Sequence, residues 1–206
     1  MTTTEKQQLV IIGNGMAAGR LLSEMLHLGM DEYAVSVFDQ ESHGSYNRIM
    51  LSPVLAGEME ISEIITHPEA WYAEHNITLH SNDPIVSVDK QAKTVTSETG
   101  KTVAYDKLVF ATGSDPILPP NVRECPYTGI TSFRNLKDVQ AIKEQAAVSK
   151  HALVIGGGLL GLEAAYGLRK QGIEVSVVNR APWLLNRQLD EHSGNLLQAE
   201  LEGRGI

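Results

Sequence analysis

The chain has 206 residues, 42% apolar and 20% charged, with 17 basic and 25 acidic side chains and a formal net charge of −8. That composition is globular, with room for one large or two modest domains, and the negative balance without a basic stripe argues against a nucleic-acid partner. The apolar runs 9–12 and 108–111 fall far short of the ~20 residues that span a bilayer and no signal peptide opens the chain, so no membrane partner and a cytoplasmic address are expected.

Residues 9–12, "LVII", read as a strand, followed at once by glycines and by Met16, Leu21, Leu22, Met25 and Leu26 at near-helical spacing. Gly29 stops that helix, and 35–38 alternates as a second strand that ends at Asp39. A helix between the two strands makes them parallel, a βαβ unit with a right-handed crossover. "HGSYNRIMLSP" reads as a polar loop, 68–75 as a helix with Pro68 in its first turn, and 77–79 as a third parallel strand. From 85 to 105 short alternating pieces separated by turn residues predict an antiparallel β-meander. "KLVFATG", 107–113, is a fourth strand of the main sheet, and three prolines in "SDPILPPNV" mark a domain boundary. A helix over 136–148, a strand over 151–155, a helix over 159–170 and a strand over 174–178 restart the βαβ plan. An amphipathic helix over 191–203 closes the chain, where a further strand is expected, so the second domain reads as its N-terminal part only.

Gly13, Gly15 and Ala18 occupy the positions of GxGxxG/A. The first allows a tight turn, the second lets backbone approach a pyrophosphate, and the third permits close helix-on-strand packing. The helix opening at Met16 and Ala17 aims its free N–H groups and positive dipole end at that phosphate. Asp39, 39 − 13 = 26 residues beyond the first glycine, can accept hydrogen bonds from ribose hydroxyls, with Glu41 a second candidate. The alternative is a glycine turn that packs strand on helix without a ligand. The spacing recurs at Gly156, Gly158 and Gly161, with Leu159 and Leu160 opening the helix and Glu163 on it. The acid position there falls at Asn179, since 179 − 156 = 23, and Asn179 cannot serve as the ribose carboxylate. Arg180 beside it is either a partner for a 2′-phosphate or a solvated side chain, which leaves NADH and NADPH both open. Two complete fingerprints imply two dinucleotides, a nicotinamide that delivers hydride and a flavin that accepts it.

Four blocks in order, "IIGNGMAAG", "YNRIMLS", "YDKLVFATGSDP" and "VIGGGLLGLEAA", resemble the two-dinucleotide-binding flavoprotein family that includes the pyridine nucleotide-disulfide oxidoreductases. The resemblance covers almost the whole chain. It implies an α/β fold of two tandem Rossmann-like, three-layer domains: 1–117 binding FAD but lacking a returning C-terminal segment, and 118–206 binding NAD(P)H. By the same resemblance Ala111, Thr112 and Gly113 pass close to the flavin nucleotide, the backbone of Ile85 touches the adenine, and Arg48 places a cation near the FAD. An ordinary loop arginine is the alternative for Arg48, and Tyr46 and Asn47 shape the loop.

Family members that reduce disulfides carry a cysteine pair after the first crossover. Here that region offers "YNRIMLSPVLAGE", and Cys125, the chain's single cysteine, reads as a partly buried structural thiol. "GNGMAAGR", "YNRIMLSPVLAGE", "HPEAWYAEHNI" and "APWLLNRQLD" are similar to the flavoprotein head of one branch, the assimilatory or respiratory NAD(P)H nitrite reductase large subunits, which links the chain to nitrate assimilation. That likeness implies an electron-entry module that hands electrons to a downstream redox domain or small subunit, with an iron-sulfur cluster and a siroheme held by cysteines outside these residues. A ferredoxin or rubredoxin reductase, and a non-catalytic nucleotide-binding redox module, are the alternatives. No side chain is expected to act as acid or base. The seven histidines, on separate elements, read as surface or cap residues and no metal site is expected. Unmatched strand edges suggest self-association into a homo-oligomer.

Overall fold

The computed structural model describes residues 6–123 and 127–206, so Cys125 lies outside the described residues. In chain order, β1 (Gln7–Ile12) turns at 13–15 into α1 (Met16–Leu28), then β2 (Tyr33–Phe38), β3 (Ser45–Tyr46), a 3-10 turn (Arg48–Met50), α2 (Leu51–Leu55), α3 (Ile61–Ile64) and β4 (Ile65–His67). Next come α4 (Glu69–Glu74), β5 (Ile77–His80), β6 (Ile85–Asp89), β7 (Thr94–Ser97), β8 (Thr102–Ala104) and β9 (Lys107–Phe110). The rest is α5 (Pro120–Arg123), α6 (Leu136–Ala146), β10 (His151–Ile155), α7 (Leu159–Lys170), β11 (Glu174–Val178) and α8 (Glu191–Gly203). The chain divides into two compact units, one running to Arg48 and resuming at Ile65–Ser114, the other joining Ile49–Ile64 to Asp115–Ile206.

The first unit is built on a parallel sheet in the order β5-β2-β1-β9. β1 lies inside it and is buried on both faces, which is why its sequence is a continuous apolar run rather than an alternation. Leu9 and Ile11 pack on one side against Ala18 and Leu22 of α1 and Tyr72 of α4. Val10 and Ile12 pack on the other with Phe38 and Val95. That second face is covered by the antiparallel sheet β6-β7-β8, whose Val88 and Val103 join the cluster. Each fully buried aliphatic side chain of this kind contributes about 1.5–3 kcal/mol before chain entropy is set against it.

The second unit pairs β10 and β11 in parallel. One face of α7, with Leu162, Ala164, Ala165 and Leu168, is buried. Gly167 has no side chain because Leu55 of α2 sits there, its Cγ 2.8 Å from where a Cβ would stand. The last carbonyls of α2 are met by side chains, Lys143 Nζ donating to Val54 O at 3.5 Å and Gln171 Nε2 to Leu55 O at 2.9 Å. Asn135 and Asp138 form a reciprocal capping box on α6, and Asp190 caps α8.

The longer regular elements lie close to their sequence positions, while the four-residue helices α3 and α5 stand where no element is expected, and three further differences have a physical reason. The stretch expected as a loop carries β3, the 3-10 turn and α2, and its partner strand β4 is only three residues long, too short to leave a periodic signal. Pro68 is the N-cap of α4, with extended backbone, rather than a residue of its first turn. Residues Ile49–Ile64, read as part of the first domain, cluster with the second unit because Leu51, Val54 and Leu55 bury themselves on α7 and α6.

Candidate functional site

Each unit ends a parallel strand in a glycine turn that starts a helix. In the first, Gly13 has φ +95°, and a Cβ there would stand 2.4 Å from the carbonyl oxygen of Ala111. The turn is therefore pressed against the end of β9, where Ala111 N–H donates to Ile12 O at 2.7 Å, while Gly13 N–H donates to Phe38 O at 2.7 Å. Gly15 is the N-cap of α1 and supplies no capping side chain, so the first-turn N–H groups of Met16 and Ala17 receive no side-chain cap from it. Ala18 is fully buried, as the third small position requires. Gly19 matters equally, since a Cβ there would meet Ser45 Oγ at 2.6 Å. Its place directly after Ala18 is the sequence signal for this close approach.

The two candidate acids have different surroundings. Glu41 is engaged on both oxygens, by the Arg48 guanidinium and by Tyr46 O–H at 2.8 Å. Asp39 is buried and accepts from the backbone N–H groups of Asn14 and Gln40; burial, then the charge of Glu41, pushes its pKa from 3.8 up to about 6. It is the acid left with hydrogen-bonding capacity, and it sits at the glycine turn. Arg48 lies over the turn, its Nε 3.8 Å from the Cβ position of Gly15, and it also stacks over Tyr46. Behind the turn, Tyr72 O–H donates to Asn14 Oδ1 at 2.8 Å and accepts from Ser45 N–H, which locks the loop to α4 and β3. Asn14 Nδ2 is buried with no hydrogen-bond partner among the described residues. No local pattern signals this Asn14, Tyr72 and Ser45 relay, because its hydrogen-bonded members are 58 and 27 residues apart.

Because the native pKa of Asp39 is above its unfolded value of 3.8, protonation favours folding; this contribution is fully present below about 3.8 and is lost as pH rises through about 6. Asp39→Asn is therefore expected to stabilise the ligand-free protein at pH 7.5 by on the order of 1–2 kcal/mol, with the advantage gone by about pH 4. Thermal midpoints of both proteins across that range test this, and a pH-independent difference contradicts it.

Thr112 and Gly113 are exposed at the end of β9, Gly113 with φ +70°. Ile85 opens β6 on the antiparallel sheet, two residues after Asp83, whose N–H donates to Asp39 O at 2.9 Å. His67 and His80, read from the sequence as surface or cap residues, are half-buried. His67 lies 2.9 Å from Ser23 Oγ, and His80 stacks on Phe38 at 4.2 Å. Burial lowers both imidazole pKa values, reinforced by His75 at His67 and by Lys101 at His80.

In the second unit Gly156 has φ +121° with open space where a Cβ would be, and Gly158, the N-cap of α7, is equally open and uncapped. At Gly161 a Cβ would stand 1.9 Å from Gly156 O, so α7 and the turn touch backbone to backbone. Leu159 and Leu160 are exposed on the first turn of α7. Glu163, one turn further on, accepts a hydrogen bond from Ser52 Oγ of α2. Asn179 is tied into the loop: its Oδ1 accepts from Gly157 N–H at 3.2 Å and its Nδ2 donates to the carbonyls of Ala181 and Trp183. Arg180 is exposed.

Parallel strands that run into glycine turns and uncapped helix starts define an α/β protein of the nucleotide-binding, oxidoreductase kind. The chain belongs to the pyridine nucleotide-disulphide oxidoreductase family, whose model matches residues 7–206. It is 45% identical, over 98% of its length, to a nitrite reductase [NAD(P)H] of Bacillus subtilis, and 40% identical, over 98%, to an assimilatory nitrate reductase electron transfer subunit of the same organism. It spans 25% and 26% of those two proteins. Among solved structures it is similar to an NADH:rubredoxin oxidoreductase from Clostridium acetobutylicum, with a TM-score of 0.84, 27% identity, and coverage of 98% of this chain and 52% of that one.

Proposed function

We propose that the chain is an electron-entry flavoprotein module: a FAD-binding domain over 1–117 and a NAD(P)-binding domain over 118–206, built as tandem Rossmann-like domains with β6–β8 as a meander in the first. The observation that carries this reading is the recurrence of an uncapped, side-chain-free helix start at the end of a parallel strand in each unit. Both turns fit a dinucleotide diphosphate. Gly13 admits no side chain, Gly15 leaves its helix donors exposed under the Arg48 cation, and Gly156 and Gly158 face open space.

In this reading FAD is held by Gly13, Gly15, Met16, Ala17, Ala18, Asp39, Arg48, Ile85, Ala111, Thr112 and Gly113, and when bound it takes two electrons from NAD(P)H and releases them singly. Asp39 accepts from ribose hydroxyls, which relieves its desolvation. Arg48 balances phosphate charge, and Glu41 acts through Arg48 by holding it in place. Gly156, Gly158, Leu159, Leu160 and Gly161 receive the NAD(P)H diphosphate, with Glu163 held by Ser52 and Asn179 shaping the loop. The chain supplies positioning and charge, not an acid or base.

We take the acceptor to be an iron-sulfur and siroheme centre, carried on residues other than these 206, that reduces nitrite to ammonia; the likeness to a nitrite reductase [NAD(P)H] supports nitrite as the final acceptor. The likeness to the NADH:rubredoxin oxidoreductase favours a second reading in which a small redox protein is the acceptor. We read the chain as cytoplasmic, partnered by a downstream redox domain or small subunit, and self-associating through open sheet edges. Among the described residues no helix is long and apolar enough to cross a membrane. The test is spectroscopic. Protein titrated with FAD is expected to show a perturbed flavin band that NADPH or NADH bleaches without oxygen; protein that leaves the FAD spectrum and fluorescence unchanged overturns the proposal.

A further inference from the structure

We infer that the second nucleotide site selects a 2′-phosphorylated dinucleotide, NADPH over NADH, and that Arg180 reads the 2′-phosphate; the inference rests on the reading of that glycine turn as a dinucleotide site. In such sites an acid after the second strand accepts from the ribose hydroxyls, and a cation in an acid-free position accommodates a 2′-phosphate.

The structure fixes which residues stand there. β11 ends at Val178, whose carbonyl accepts from Gly156 N–H at 2.8 Å, so the two residues that follow flank the glycine turn. Asn179 has its side-chain amide fully engaged: one acceptor for Gly157 N–H at 3.2 Å, two donations to Ala181 O at 3.1 Å and Trp183 O at 3.0 Å. Only a group that both donates and accepts can do this. A carboxylate at 179 would face two carbonyl oxygens, so the fold of the loop itself removes the ribose acid from this position. Glycine-turn and loop are joined a second time by Leu185 N–H donating to Gly157 O at 2.9 Å, and Trp183 Nε1 closes the loop on Leu189 O at 3.0 Å. Arg180 thus leaves an ordered loop, exposed, with no hydrogen bond or ion pair among the described residues. From 179 to 189 the sequence, "NRAPWLLNRQL", holds no acidic residue and a second cation, Arg187. Asp190 beyond it is engaged as the cap of α8, accepting from Ser193 N–H at 2.8 Å. On a chain of net charge −8, this acid-free stretch carries two positive charges, the sign that attracts an anionic ligand group.

The test is calorimetric titration of the 206-residue protein with adenosine 2′,5′-bisphosphate and with 5′-AMP, alongside NADPH and NADH. The 2′-phosphorylated ligand of each pair is expected to bind roughly tenfold to a hundredfold more tightly, the range of a hydrogen bond to a charged group. In Arg180→Ala that ratio is expected to fall to about one, and in Arg180→Lys to keep part of its value. Arg180 is exposed and has no partner among the described residues, so an unchanged thermal midpoint will show that the variants fold. Equal binding of the paired ligands by the wild-type protein, or a ratio that survives Arg180→Ala, overturns the inference and leaves the dinucleotide site standing. Failure of both NADPH and NADH to bind overturns the site and the inference together.

Discussion

Gly13→Ala is expected to destabilise the first unit by about 3 kcal/mol and to abolish the FAD binding proposed for it. Two costs combine. The residue has φ +95°, where a side chain is penalised by about 1–2 kcal/mol. The new Cβ would also meet Ala111 O at 2.4 Å, Ala111 C at 2.7 Å and Thr112 Cα at 2.9 Å, all backbone. Overpacking against atoms that cannot rotate away costs about 1–3 kcal/mol more. Relief would require β9 to move from β1, breaking the Ala111 N–H bond to Ile12 O. Gly100→Ala isolates the terms, because Gly100 has φ +85° and nothing within 4 Å of its Cβ position. It should show the conformational cost alone and keep FAD binding. Denaturant unfolding and flavin titration of both variants decide the matter; equal losses in the two would mean that the close approach at Gly13 contributes nothing.

Gly161→Ala is expected to destabilise the second unit by about 2–3 kcal/mol and to remove the NAD(P)H binding proposed for it, although helix propensity alone predicts the opposite sign. In a helix interior alanine is favoured over glycine by about 1 kcal/mol. At 161 a Cβ would stand 1.9 Å from the carbonyl oxygen of Gly156, a contact no rotamer relieves. The turn cannot yield, because Gly156 N–H is bonded to Val178 O at 2.8 Å, so α7 must be pushed off β10. Gly203→Ala, at the end of α8 with nothing within 4 Å, should instead be neutral or stabilising by up to about 1 kcal/mol. A Gly161→Ala protein as stable as wild type would show that α7 and its strand do not depend on this contact.

The first glycine motif shows where reading a sequence succeeds. Each of its positions is a local requirement: a positive φ, a missing Cβ, a buried small residue. Chemistry with a fixed spacing of two or three residues is visible in a one-dimensional string. The same holds for β1, whose four-residue apolar run announces a strand covered on both faces. The choice between Asp39 and Glu41 was not visible in this way. Both are acids near the end of β2, and only the folded chain brings Arg48 and Tyr46 onto Glu41 and leaves Asp39 desolvated beside the glycine turn.

What the sequence by itself determined is therefore the longer strands and helices, the parallel connection of β1 to β2 and of β10 to β11, and the two glycine turns, all of which follow from propensities and steric needs within a few residues. The tertiary structure alone decided that Ile49–Ile64 joins the second unit, that Asn14, Tyr72 and Ser45 form one buried relay, and that Asn179 holds its loop closed. These depend on which distant side chains share a volume. Burial and the pairing of polar groups are set by packing across tens of residues, and no local pattern encodes them.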